Sequence, residues 1–206
     1  MNESEFENEL IQYISSGVMS KPQNLEESNN SVIKEENAEY IVKKKLWEYK
    51  PEIKTTEQLW SNFKEILEQH NQNTLEHPLS VVEFNQVKKI ISDIKTPYEA
   101  GQFLYGLNGV SQIEIDLDDG RHVFLTVFDQ KQIGAGDTVY QVVNQIERPV
   151  VITGKRSSRF DTTLLINGLP IIQIEEKRDT RNVDEALNQM YQYIYENQYR
   201  GIFSTL

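Results

Sequence analysis

Three residues near the C-terminal end of the chain have types and spacing that could do chemistry together: Asp161, Glu175 and Lys177. The run Ile171-Ile172-Gln173-Ile174-Glu175-Glu176-Lys177 reads as a strand. Successive side chains then alternate, so Gln173, Glu175 and Lys177 share one face while Ile172 and Ile174 share the other. Residues 160–167 read as a preceding strand, joined to it through the turn Asn167-Gly168-Leu169-Pro170. Counting back through that turn sets Asp161 opposite the Glu175–Lys177 end. Two carboxylates brought together repel unless a cation neutralises them or one takes up a proton. Oxygen-only ligands suit Mg²⁺, which takes one or two carboxylates plus water and a substrate phosphate. Asp161 and Glu175 would hold the ion, with the backbone carbonyl of Glu176 as a further ligand. Such an ion acidifies a bound water and neutralises charge developing on a phosphate. Lys177 would orient the nucleophile or stabilise that charge. The plainer alternative is a solvated salt bridge at a hairpin end, and the spacing D-x₁₃-E-x-K by itself leaves it open.

The elements that must position these residues are also legible. Residues 3–14 predict a short amphipathic helix with Phe6, Leu10, Tyr13 and Ile14 on one face. Glu7 falls inside that apolar arc, and a carboxylate on a buried face needs a partner. Residues 15–39 are rich in Ser, Asn and Glu without a sustained period, and predict a flexible surface loop. Thr55 and Thr56 precede a helix with Leu59, Trp60, Phe63, Ile66 and Leu67 inward. Ser80 with Glu83, and Thr96 with Glu99, form capping boxes for two more, the second having Pro97 in its first turn and Gly106 as its stop. The aromatic residues of these helices read as core. Alternation then takes over at Ile113, Ile115 and Leu117, with Asp118-Asp119-Gly120 as a turn, a return strand over 121–128 and a β-rich stretch over 138–146. Asn182 with Glu185 predicts a last helix ending near Arg200 and Gly201. On it, Gln189 and Tyr193 share one face. Residues 201–206 read as the start of an apolar strand. The order of elements is α+β or mixed α/β, within a single domain over 1–206.

Charge complicates a nucleic-acid partner. The formal net charge is −11, with nine acids against two bases over residues 1–40. From residue 150 onward acids and bases balance at seven each, and Lys155, Arg156 and Arg159 cluster just before the site. That cluster could meet DNA phosphates, but the chain as a whole is a poor stand-alone DNA binder. The absence of cysteine excludes disulfides and thiolate metal sites and favours a cytoplasmic place. No apolar run approaches the roughly 18 residues of a membrane helix. His70, His77 and His122 are scattered and receive no role.

The stretch from Arg159-Phe160-Asp161 through Asn167-Gly168-Leu169-Pro170 to Ile174-Glu175-Glu176-Lys177 closely resembles the nuclease signature of the restriction (motor) subunit of type I restriction enzymes. That signature continues into a Q-x-x-x-Y helix, matched by Gln189 and Tyr193, and Phe6-Glu7-Asn8-Glu9-Leu10-Ile11 resembles the family's opening helix. The resemblance implies a PD-(D/E)xK core, a mixed sheet flanked by helices. It implies Mg²⁺-dependent cleavage of double-stranded DNA after ATP-driven translocation, in a complex with methylation and specificity subunits. It also implies a place for Glu7 at the metal, and for Gln189 and Tyr193 at DNA or the active site. For the helix pair a simple hydrogen-bonded packing role stays open, as does simple exposure for Glu7. No G-x-x-x-x-G-K-[ST] motif for ATP is present, so the chain reads as the N-terminal nuclease portion of a longer protein. Phe160 stands where the superfamily has Pro, and Glu176 where an apolar residue is usual; its side chain is expected to face away from the site. The rival reading is a catalytically silent nuclease-like docking module within a larger assembly.

Overall fold

The computed structural model describes residues 3–16, 47–133, 137–147, 159–177 and 183–206. Lys155, Arg156, Asn182 and nearly all of the expected loop lie outside the described residues. The chain forms α1 (Glu3–Ser16), β1 (Trp47–Tyr49), α2 (Thr56–His70), α3 (Val81–Ser92) and α4 (Pro97–Tyr105). It continues through β2 (Val110–Asp116), β3 (His122–Asp129), β4 (Tyr140–Glu147), β5 (Arg159–Ile166), β6 (Leu169–Ile174), α5 (Val183–Tyr195) and a 3₁₀ turn (Gly201–Thr205). A mixed sheet runs β1-β4-β5-β6, with β1 parallel to β4 and the other pairs antiparallel, and β2 and β3 form a separate hairpin. This is a mixed α and β architecture with helices flanking a mixed sheet.

Local chemistry starts the central helices where the sequence predicts. Thr55, Ser80 and Thr96 each accept from the backbone N–H three residues on, while Gln58, Glu83 and Glu99 return the bond. Such a cap contributes about 1 kcal/mol by satisfying otherwise orphaned N–H groups. Leu59, Trp60, Phe63, Ile66 and Leu67 of α2 are all buried. The larger core joins α2 and α3 to the inner faces of β2 and β3, to Val143, Ile146, Phe160 and Leu165 of the sheet, and to Tyr193, Ile202 and Phe203. A smaller cluster lies under α1, where Ile11 meets Val142 and Leu164 with Ile14, Trp47, Tyr49 and Ile174 around them.

Four expectations need correction. In α1, Phe6 and Tyr13 stand 44% and 46% exposed while Glu7 and Ile11 are buried, so the inward face is rotated toward Glu7, Ile11 and Ile14. The segment expected to extend from residue 201 instead turns as a 3₁₀ helix over Gly201–Thr205, burying Ile202 and Phe203. Helix α5 stops at Tyr195, short of Arg200, and Asn197 follows with φ 51°. The hairpin turn is tighter than predicted. Asn167 (φ 50°) and Gly168 (φ 80°) make it, and Leu169 and Pro170 already pair with β5. Pro170 is tolerated because the register shifts beside its partner Leu165, where a missing N–H costs least. The sequence carries no strand signal at β1, whose three residues are too few to show a period.

The closed end of the β5–β6 hairpin is pinned. The Asn167 amide donates to the Val127 carbonyl at 2.8 Å and its oxygen accepts from the Val139 N–H at 2.9 Å. A Cβ on Gly168 would lie 2.8 Å from Phe63 Cα, so the turn presses on α2 and requires glycine. A hairpin fixed at its turn has its register set throughout, and this determines what meets at its open end.

Candidate active site

The register Thr162↔Ile174, continued by one residue, sets Asp161 across from Glu175. Strand pairing stops at Ile174, earlier than the sequence suggests, and the side chain of Asp161 supplies the reason. Its Oδ2 accepts the Glu176 N–H at 3.0 Å, taking a donor that a longer ladder would give to the backbone. Lys177 turns back over the same strand end. Its Nζ lies 3.0 Å from Glu175 Oε1 and 3.0 Å from the Glu176 carbonyl oxygen. The structure therefore brings Asp161, Glu175, Lys177 and the Glu176 carbonyl together.

Glu175 is enclosed, with its side chain 1% exposed. Its second oxygen, Oε2, accepts from Tyr193 Oη at 3.1 Å and from Gln173 Nε2 at 3.2 Å. Gln189 donates in turn to the Tyr193 hydroxyl, so α5 does deliver its Gln189–Tyr193 face to the site. Burial raises the Glu175 carboxyl above its ordinary range, Lys177 pulls it back, and the neighbouring Asp161 charge raises it further. Phe160 sits beneath as the hub of an aromatic cluster, edge-on to Tyr193, stacked with Tyr199 and tilted against Phe203. A proline at this position would lack the ring that these three pack against.

The other face of the strand end holds Glu176. Its Oε1 accepts from the Thr162 hydroxyl at 2.9 Å, whereas Oε2 is buried with no hydrogen-bond partner among the described residues. Burial first, then the charges of Glu7, Asp161 and Glu175, push this carboxyl up to about 7. The side chain thus leaves the Glu175–Lys177 row, as alternation requires, but remains within the field of its acids. Glu7 reaches the same region from α1. Its Oε1 accepts from Asn144 at 3.1 Å and Gln145 at 2.9 Å, and Asn144 is the direct cross-strand partner of Thr162. Gln145 reaches it from a left-handed backbone (φ 55°), which costs a non-glycine residue roughly 1–2 kcal/mol.

Sequence reasoning missed Lys54, Asn144, Gln145, Thr162 and Tyr199. Lys54 Nζ donates to the Asn144 carbonyl at 2.7 Å and to its side-chain oxygen at 2.5 Å. Burial lowers its pKa, Glu7 raises it and Arg159 lowers it again. Arg159 is thus near enough to be felt at this edge, while Lys155 and Arg156 lie outside the described residues. No local signal marks Asn144 or Gln145, since their role depends on α1 arriving from 137 residues earlier.

Among the described residues no group of three or more His, Asp or Glu side chains could hold a metal by itself. The donor set is two carboxylates and a carbonyl, all oxygen, which fits Mg²⁺ with water and phosphate completing its shell. The Lys177 ammonium, set between Glu175 Oε1 and the Glu176 carbonyl, shows that these oxygens accommodate positive charge. No helix among the described residues is long and apolar enough to cross a membrane.

Comparison with known proteins bears on the same region. Residues 23–206 match the family described as type I restriction enzyme R protein N terminus. The chain is 33% identical over 152 residues to a type I restriction enzyme endonuclease subunit of Staphylococcus aureus, covering 73% of this chain and 15% of that protein. It is 31% identical over 152 residues to the corresponding subunit of Staphylococcus saprophyticus, with the same coverage of each. It is 38% identical over 80 residues to the EcoprrI endonuclease subunit of Escherichia coli, covering 39% of this chain and 24% of that protein. The chain spans about a seventh of the length of the staphylococcal relatives. A match over most of its residues identifies the chain as a member of the type I restriction enzyme R protein N-terminus family.

Proposed function

We propose that this chain is a PD-(D/E)xK nuclease module that hydrolyses DNA phosphodiester bonds with Mg²⁺ held by Asp161, Glu175 and the Glu176 carbonyl. The observation that carries it is the convergence of those groups with Lys177 at one pinned hairpin end. When bound, the cation supplies Lewis acidity and neutralises charge at the phosphate. The chain's own residues do the rest. Asp161 and Glu175 gather negative charge that calls for a counter-ion. Glu175 is held still by the hydroxyl of Tyr193 and the amide of Gln173. Lys177, released from Glu175, carries a mobile ammonium to orient the attacking water or meet charge on the phosphate. Gln189 fixes the Tyr193 hydroxyl, and Arg159 with Lys155 and Arg156 supplies phosphate contacts.

The relatives' names and lengths extend the reading. The module acts within a longer endonuclease subunit whose motor hydrolyses ATP to bring double-stranded DNA to the site, in a cytoplasmic complex with methylation and specificity subunits. With a net charge of −11, affinity for DNA comes chiefly from those other parts. A second reading, a silent docking module, draws support from that acidity and from Lys177 occupying the cation's place. Substitution separates the two. Asp161→Ala, Glu175→Ala or Lys177→Ala in the full-length subunit should abolish nicking and linearisation of plasmid DNA while ATP hydrolysis persists. Normal cleavage by Glu175→Ala would remove the nuclease proposal.

A further inference from the structure

The two oxygens of Glu175 have different surroundings. Oε1 faces the Lys177 ammonium at 3.0 Å. Among the described residues, Oε2 receives only neutral donors, the Tyr193 hydroxyl at 3.1 Å and the Gln173 amide at 3.2 Å. Each donor is oriented by another. Gln189 donates to the Tyr193 hydroxyl, and the Tyr199 hydroxyl donates to Gln173 Oε1 at 2.7 Å. An ionised carboxylate can only accept, so Gln173 must turn its NH₂ toward Glu175. Its oxygen then faces Tyr199, which must donate. The ring of Tyr199 is itself fixed, stacked on Phe160 with centroids 5.9 Å apart and planes 6° from parallel.

Resting on the nuclease reading, we propose that Gln173 and Tyr199 are positioning residues: the relay Tyr199→Gln173→Glu175 saturates Oε2 and leaves Oε1 as the oxygen presented to the cation. Gln173 lies two residues before Glu175 on the same strand face, and Tyr199 comes from the turn after α5. The relay therefore locks the segment that follows the helix onto the strand that carries the metal ligand. Hydrogen bonds to a ligating carboxylate fix its direction, and their loss typically weakens metal binding by 10- to 100-fold.

Calorimetric titration of the chain with Mn²⁺ tests this. Tyr199→Phe keeps the ring on Phe160 and removes only the hydroxyl. It should lower Mn²⁺ affinity about tenfold with the melting temperature close to that of the unaltered chain. Gln173→Leu should weaken binding at least as much, and the double variant no more than Gln173→Leu alone, because Tyr199 acts through Gln173. Unaltered affinity in Tyr199→Phe, or losses that multiply in the double variant, would overturn the relay. Glu175→Ala is the control for the underlying reading. If it binds Mn²⁺ as the unaltered chain does, or if neither binds, the metal site itself fails. The relay is then judged by hydrogen exchange of the Gln173 side-chain amide. Protection that disappears in Tyr199→Phe upholds it, and protection unchanged by that substitution refutes it.

Discussion

Glu83 and Glu176 are both buried glutamates, at 0% and 5% exposure, and they have opposite surroundings. Glu83 caps α3. Its two oxygens accept the N–H groups of Ser80 at 2.7 Å and Asp118 at 2.8 Å. Burial pushes that carboxyl up, but the two N–H groups outweigh it and hold the group below its ordinary value. Among the described residues, Glu176, at the open end of the β5–β6 hairpin, has one oxygen unpartnered and three acids nearby, and it is pushed up to about 7. The helical half of the molecule spends its buried charge on architecture, joining a helix start to the β2–β3 turn. The strand end gathers Glu7, Asp161, Glu175 and Glu176 against their mutual repulsion. Repelling charges gathered without full pairing cost stability, which is what the proposed metal site at this strand end would require.

Isosteric substitution should expose the contrast most strongly. Glu83→Gln turns an NH₂ group against one of two buried N–H donors and should cost about 2–3 kcal/mol. Glu176→Gln removes a like charge from among acids and should leave stability at pH 8 unchanged or increased. Urea unfolding of both variants measures this, and an equal loss in the two would break the comparison.

The pH dependence should differ in sign. The folded Glu83 carboxyl titrates below its ordinary 4.5, so its contribution is present above that value and lost as pH falls through the folded pKa. The folded Glu176 carboxyl titrates near 7 against an ordinary 4.5. Its contribution is full below 4.5 and is lost as pH rises through about 7, because the unfolded chain releases the proton first. Unfolding free energies from about pH 3.5 to about pH 8 should lose the acid limb in Glu83→Gln and the fall toward neutrality in Glu176→Gln. Identical profiles for both variants would contradict the assignment.

The smallest effect on stability is expected from Tyr193→Phe, which keeps the ring packed edge-on to Phe160 and removes one hydroxyl. It should shift the melting temperature little while lowering cleavage by the full-length subunit. Matched losses would make Gln189 and Tyr193 a packing pair instead.

What the sequence reveals follows from the range of each interaction. The caps at Thr55, Ser80 and Thr96 are written within four residues, and so they could be read directly. The meeting of Asp161 with the Glu175–Lys177 end depends on one short hairpin, so its pairing followed from counting. The observed turn is two residues shorter than the sequence suggests, because Pro170 looks like a turn residue whereas a register shift lets it pair. In α1 the sequence places Glu7 and Ile14 on the inward face correctly, but its apolar pattern wrongly adds Phe6 and Tyr13. Burial of Glu7 wins once Asn144 and Gln145 offer it two donors, and nothing local announces them. Tyr199 was silent for the same reason, since its partner Gln173 lies 26 residues away.

A divalent cation between Asp161 and Glu175 would be seen in crystals soaked in Mn²⁺ and measured at a wavelength where manganese scatters anomalously. One strong peak is expected within ligating distance of the Asp161 and Glu175 carboxylates and the Glu176 carbonyl, with Lys177 Nζ moved off both of its present partners. A saturating soak that leaves no peak there, with Lys177 still bonded to Glu175 and to the Glu176 carbonyl, would contradict it.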